Sequence, residues 1–158
     1  MSRFNFMQDE MIINQFAEAT TLALDKFYID AAKQFEEISQ SYPEHELADD
    51  AMFNAGMCYF HLNSFEHAIA VFEEVIEKYP DAQIHEFEGG NSYGKTAAKC
   101  HYAILNSYLG LSKFEDAEAQ LAKLNLYPDA YELSPLGEKF SYEELGNKAL
   151  QSFKKFEI

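Results

Sequence analysis

The residues best suited to chemistry lie between positions 89 and 96. Gly89-Gly-Asn-Ser-Tyr-Gly-Lys-Thr96 satisfies the pattern G-x-x-x-x-G-K-[ST]. In that pattern the amides of a glycine-rich turn cradle phosphate, the lysine reaches the terminal phosphates and the hydroxyl binds magnesium. The chemistry needs a buried strand before the turn, a helix after it and an acid at the end of another strand. A helix is expected from about Thr96. Before the turn stands Tyr79-Pro-Asp-Ala-Gln-Ile-His-Glu-Phe-Glu88, which is polar and turn-like. No other convincing strand is visible, so no parallel sheet is expected to hold the turn. Nucleotide binding through residues 89–96 is therefore an alternative reading, one that Lys95→Ala would abolish.

Other catalytic patterns are thin. The histidines at 45, 61, 67, 85 and 101 form no H-E-x-x-H or H-x-x-x-H pair, and no G-x-S-x-G occurs. Glu-Glu pairs recur at 36–37, 73–74 and 143–144. Adjacent helical residues do not face each other, so these read as solvated faces. Cys58 and Cys100 belong to no C-x-x-C pair; they suggest buried small residues rather than structural zinc. The expectation is a chain that is not an enzyme, with no catalytic residues, no metal site and no cofactor.

The elements that would position any site come from a repeat. Residues 31–43 and 68–80 share A-x3-F-E-E-[IV]-x3-Y-P. A looser third copy has Ala117, Leu121, Leu124 and Tyr127-Pro128. Each copy follows an aromatic, at Tyr28, Phe65 and Phe114, so the steps are 37 and 49 residues. Ala68, Phe72, Val75 and Tyr79 step by four, three and four, which is one face of a helix. Proline then stops that helix, having no amide donor. A second helix precedes each copy: Met11 to Leu24, Leu47 to Leu62, and a third carrying Ile104 and Tyr108. Gly110 reads as the residue that ends that third helix, and Ser112-Lys-Phe-Glu115 as a capping box for the next. The chain is thus expected to be all-α. It would hold three antiparallel helical hairpins at about 9–43, 46–80 and 92–128 in a single domain spanning 1–158. Residues 129–140 read as a loop. A capping helix is expected at about 141–157, opened by the box Ser141-Tyr-Glu-Glu144 and faced by Leu145, Leu150, Phe153 and Phe156.

The middle copy resembles a tetratricopeptide repeat. The family's slots hold Met52, Ala55, Gly56, Tyr59, Ala68, Phe72, Val75 and Pro80, of which Gly56, Tyr59, Ala68, Phe72 and Pro80 carry the preferred residue. The first copy keeps Ala31, Phe35, Ile38 and Pro43. The third keeps Tyr108, Ala117 and Pro128 but has Leu105 where glycine is usual. The Tyr-Pro ending and long period are similar in style to repeats of bacterial envelope proteins, such as the outer-membrane assembly lipoprotein and the Tol–Pal coordinator. The resemblance implies a right-handed superhelix whose first helices line a concave peptide-binding groove. Carried over, the groove slots are Phe53, Met57, Phe60 and His61 in the middle copy and Lys99, Tyr102 and Asn106 in the third. Phe16 and Thr20 are their counterparts in the first. Aromatic and methionine side chains suit an interface centre, and the same periodicity suits a core stripe. Chaperone adaptors of the family clamp a terminal carboxylate with Lys and Asn. Asn54 and Lys99 fit that clamp, but Ala103 stands where a basic residue is needed.

Composition narrows the partner. Asp and Glu total 27 against 12 Lys and Arg, a net charge of −15. Phosphate backbones and anionic membranes repel such a chain. A basic peptide or protein face would be steered toward it. No run of 18 apolar residues occurs, so no membrane insertion is expected. The segment Met1–Glu10 lacks an apolar signal core, which makes the cytoplasm the default location. A chain already relieved of its signal would belong to the periplasm. The leading expectation is a scaffold that binds a protein segment. The others are the nucleotide-binding reading and a self-assembling repeat, for example a homodimer. The extra 12 residues before the third copy are expected to border the binding surface.

Overall fold

The computed structural model describes residues 3–85 and 90–155, with side chains from Asn5 onward. Gly89 and Phe156 lie outside the described residues. Among these described residues seven helices run in the order α1 (Arg3–Leu24), α2 (Tyr28–Ser41), α3 (Ala48–His61), α4 (Phe65–Lys78), α5 (Thr96–Gly110), α6 (Phe114–Leu124) and α7 (Tyr142–Lys154). They pair as three hairpins. Each helix packs on the next, and α7 closes the stack against α5 and α6. The helix α1 begins well before the expected Met11.

The hairpin turns share one backbone device. Lys26, Asn63 and Ser112, each two residues before the aromatic that opens a second helix, adopt positive φ of 66°, 58° and 57°. This left-handed residue turns the chain back on itself at the cost a non-glycine residue incurs there. Ser112 is therefore not a cap: Lys113 holds the N-cap position of α6 and no side chain caps it. Gly110 likewise does not end α5 by its backbone. Its missing Cβ makes room for the Phe65 ring, which a methyl there would meet at 2.6 Å. The box at α7 does form: the Glu144 amide donates to Ser141 Oγ at 3.2 Å, and the Ser141 amide to Glu144 Oε2 at 2.7 Å.

The core follows the repeat. Ala31, Phe35, Ala68, Phe72 and Ala117 are fully buried. Gly56 lets the Phe72 ring lie against the α3 backbone. In the third hairpin Leu105 fills the corresponding space, and Gly146 of α7 yields to it. The Tyr79 hydroxyl donates to the Pro43 carbonyl at 3.1 Å, tying one Tyr-Pro end to the previous one. The Tyr59 hydroxyl donates to Glu36 at 2.6 Å, so that acid is more than a solvated face. Cys58 and Cys100 are buried free thiols. In α7, Leu150 is buried but Phe153 is exposed.

Three short strands depart from the expectation. β1 (Ser92–Tyr93), β2 (Tyr131–Leu133) and β3 (Lys139–Ser141) form an antiparallel sheet in the order β1-β2-β3. The segment 129–140 is thus mostly a hairpin, turned at Ser134 to Gly137, not an open loop. It pairs with the glycine-rich insertion through Ser92 opposite Glu132 and Tyr93 opposite Tyr131.

Candidate functional site

Two helices and the small sheet build one groove. From α3 come Phe53, Asn54, Met57 and Phe60, and from α5 come Lys99, Tyr102, Ala103 and Asn106. Offsets of three, four and seven put each set on one helix face. Ser92 of β1 and Glu132 of β2 add a wall, enclosing a hollow of about 500 Å³. Strand alternation explains that wall. Ser92 and Glu132 face the groove, while Tyr93 and Tyr131 stack on the other side at 5.0 Å, with Lys139 Nζ 3.9 Å above Tyr131.

A second hollow, of about 300 Å³, adjoins the first and shares Asn54 and Met57 with it. Thr20, Tyr28, Phe35 and His61 lie along it, and His61 stacks on Tyr28 at 5.0 Å. The amide of Asn54, between the two hollows, has no hydrogen-bond partner among the described residues. It can serve a passing backbone with both a donor and an acceptor.

Six of the nine groove residues expected from sequence gather around the larger hollow: Phe53, Met57, Phe60, Lys99, Tyr102 and Asn106. Thr20 and His61 line the smaller one. Phe16 is a correction. It is buried against α2, with its ring edge-on to Phe35 at 5.2 Å. Ile12, Phe16 and Ala19 form the inner stripe of α1, and periodicity alone does not separate a core stripe from a groove stripe. Ser92 and Glu132 were not expected. The sequence signal for Glu132 is the turn Ser134-Pro-Leu-Gly137 that follows it; Ser92 has none.

A buried polar cluster fixes the groove from behind. Thr96 Oγ1 donates to Asp49 at 2.6 Å. The His85 amide donates to Asp50 at 3.1 Å, and Lys99 Nζ stands 3.7 Å from the other Asp50 oxygen. The same ammonium sits 4.1 Å over the Phe53 ring. Burial pushes the Asp50 carboxyl up to about 6, opposed by the Lys99 charge. Burial also raises Asp49. Lys99 is thus committed to Asp50 and Phe53, which removes it from any clamp for a terminal carboxylate.

The phosphate-cradle pattern takes another shape. Its strand, β1, lies inside the motif and runs antiparallel to β2. The Asn91 side chain donates to the Leu133 carbonyl at 2.7 Å, and Lys95 pairs with Asp81 at 2.7 Å. Gly94, at φ 107°, would carry a Cβ only 2.6 Å from Ala130. The glycine serves a close backbone crossing, and the lysine is held at the surface away from the groove. Among the described residues no group of three His, Cys, Asp or Glu side chains could hold a metal ion.

Residues 50–82 match the tetratricopeptide repeat family. This span is the middle hairpin, the copy whose slots are best kept. The fold as a whole is similar to two solved structures. One is the type III secretion translocator chaperone SycD of Yersinia enterocolitica, in an alternative dimer, at TM-score 0.65 and 16% identity over 94% of this chain and 96% of that one. The other is PcrH of Pseudomonas aeruginosa, at TM-score 0.65 and 12% identity over 98% of this chain and 95% of that one. Such likeness carries the all-α repeat fold. A search of curated proteins returns no significant match. No helix among the described residues is long and apolar enough to cross a membrane.

Proposed function

We propose that this chain is a non-enzymatic holder of a partner protein, its 158 residues acting as one unit that grips an extended segment along the α3–α5 groove. The observation that carries this reading is the continuity of the two hollows through Asn54 and Met57. Together they offer an extended chain successive pockets for apolar side chains, with a free amide between them for its backbone. Likeness to a translocator chaperone in fold supports a holding role. The envelope-style repeat ending is a likeness of form and adds no partner. The test is selection from a random dodecapeptide library, followed by anisotropy with labelled winners. Met57→Glu puts a charge where the hollows meet, and it is expected to weaken every winner at least tenfold. Winners that bind Met57→Glu as well as the parent would refute the groove.

A second reading concerns assembly. Phe6, Met7, Met11 and Ile13 of α1 are exposed, while Ile12 and Phe16 face the core. The exposed residues flank that inward stripe on both sides, and apolar helix surface beyond the core stripe is normally covered too. The occupant this reading commits to is a second copy of the chain, as in the dimer of the similar chaperone.

A further inference from the structure

Resting on the groove reading, we propose that the bound segment carries a lysine or arginine that pairs with Glu132, making this sheet residue the determinant of which segments are accepted. Glu132 lines the larger hollow. Its hydrogen-bond partner is the Ser92 hydroxyl, at a long 3.4 Å, and among the described residues no ion pair holds it. Below it lies the Tyr142 hydroxyl, buried beside Ser92 and Glu132 without a well-aligned hydrogen bond. The carboxylate therefore lines the hollow with one long hydrogen bond and no ion pair.

Any segment that fills the hollow takes this carboxylate out of water. Covered by an apolar side chain, it would become a buried unpaired charge, which burial of that side chain does not offset. An occupant must therefore bring a donor, and a cation satisfies the carboxylate best. The half-buried Tyr102 ring on the opposite wall favours the same choice. Lys99 does not supply the missing charge, being held by Asp50 at 3.7 Å and by the Phe53 ring. With that pair neutral, Glu132 is the uncompensated charge of the hollow. The net charge of −15 draws cationic segments in from a distance. Acidic segments are rejected by the same carboxylate, so selection works by exclusion as well as attraction.

The experiment runs the dodecapeptide selection on the parent, Glu132→Gln and Glu132→Lys, each checked for helicity by circular dichroism. Winners on the parent are expected to share a Lys or Arg at a fixed position beside apolar residues. Replacing it with norleucine should weaken anisotropy binding roughly tenfold in the parent, by the scale of a desolvated charge pair, and hardly at all in Glu132→Gln. Glu132→Lys should select Asp or Glu at the same position. Parent winners without a fixed basic residue, or an equal norleucine loss in Glu132→Gln, would overturn the assignment while leaving the groove intact. Should no peptide bind the parent, or should Met57→Glu bind as the parent does, the groove itself fails and this assignment with it.

Discussion

Gly56 faces the tightest helix contact in the middle hairpin, and its substitution tests the packing argument. Replacing it with alanine would place a Cβ 2.5 Å from Phe72 Cε1, 2.9 Å from Cδ1 and 3.0 Å from Cζ. The Phe72 ring is fully buried and lies 5.3 Å from the Phe53 ring, so it has little room to withdraw. Overpacking costs about 1–3 kcal/mol, and a ring without room to withdraw puts this site in the upper part of that range, about 2–3 kcal/mol. Alanine in place of glycine within a helix returns about 1 kcal/mol. The net expectation is a loss of about 1–2 kcal/mol, read as a lower urea midpoint at unchanged slope. Gly110 supplies the contrast. A Cβ there would also approach a ring, at 2.6 Å, but Phe65 is half-exposed and can swing outward. Gly110→Ala should therefore be neutral or slightly stabilising. A double-mutant cycle isolates the contact: in a Phe72→Leu background the cost of Gly56→Ala should fall by about 1 kcal/mol, as expected for touching residues. Equal stability of Gly56→Ala and the parent would refute the reasoning. So would a cost unchanged by Phe72→Leu.

Three more outcomes are expected. Asp50 has a folded pKa of about 6, raised from 3.8 chiefly by burial, so the native state binds more protons there and stability at this residue falls as pH rises from about 4 to 6. His101, lowered by burial, has the opposite sign, losing stability as pH falls below its unfolded value. Melting temperatures of the parent and Asp50→Asn across pH 4.5–7 should thus diverge, the variant showing the steeper loss on acidification. Ser141→Ala removes the one complete capping box among the described residues and should destabilise by about 1 kcal/mol in urea titration, whereas Ser112→Ala, which removes no cap, should not. Light scattering on the parent should give a mass that grows with concentration toward a dimer, and Phe6→Glu with Met11→Glu should hold it at the monomer.

What was legible in the residues was whatever recurs. The step from Tyr28 to Phe65, the Ala-Phe-Val-Tyr spacing and the Tyr-Pro endings gave the hairpins, because each unit must bury the same face against its neighbour. The residues that line the hollow on α3 and α5 came from the tetratricopeptide resemblance laid over that repeat. Phe16 shows its limit: an inward stripe and a binding stripe look alike until the packing partner is known. The strands were hidden for another reason. With two or three residues each, they are too short for alternation to register, and β1 finds its partner forty residues away across α5 and α6. Such pairing depends on the helices having already brought the segments together. Ser112 read as a cap from its spacing to Glu115. The turn needed a left-handed residue at that point, and the equivalent Lys26 and Asn63 were the clue that it would.

The glycine-rich insertion is where the repeat stops being uniform. Three hairpins and a capping helix would make a plain stack with an open concave face. The 12 extra residues before the third hairpin supply β1, and the segment before α7 supplies β2 and β3. Together they raise a wall at one side of the groove. A wall on flexible tethers would select nothing, so its anchoring matters. The anchor is the buried cluster in which Asp49 holds Thr96, and Asp50 holds both the His85 amide and Lys99. Those bonds lock both flanks of the insertion to the start of α3. Burying two adjacent acids is unfavourable in itself. It is intelligible if the return is position: Lys99 neutralised where it lines the groove, and Glu132 left there without an ion pair. Residues 90–96 of the motif that mimics a phosphate cradle are then the root of this wall, with Gly94 permitting the close crossing over Ala130 and Lys95 paired with Asp81 outside.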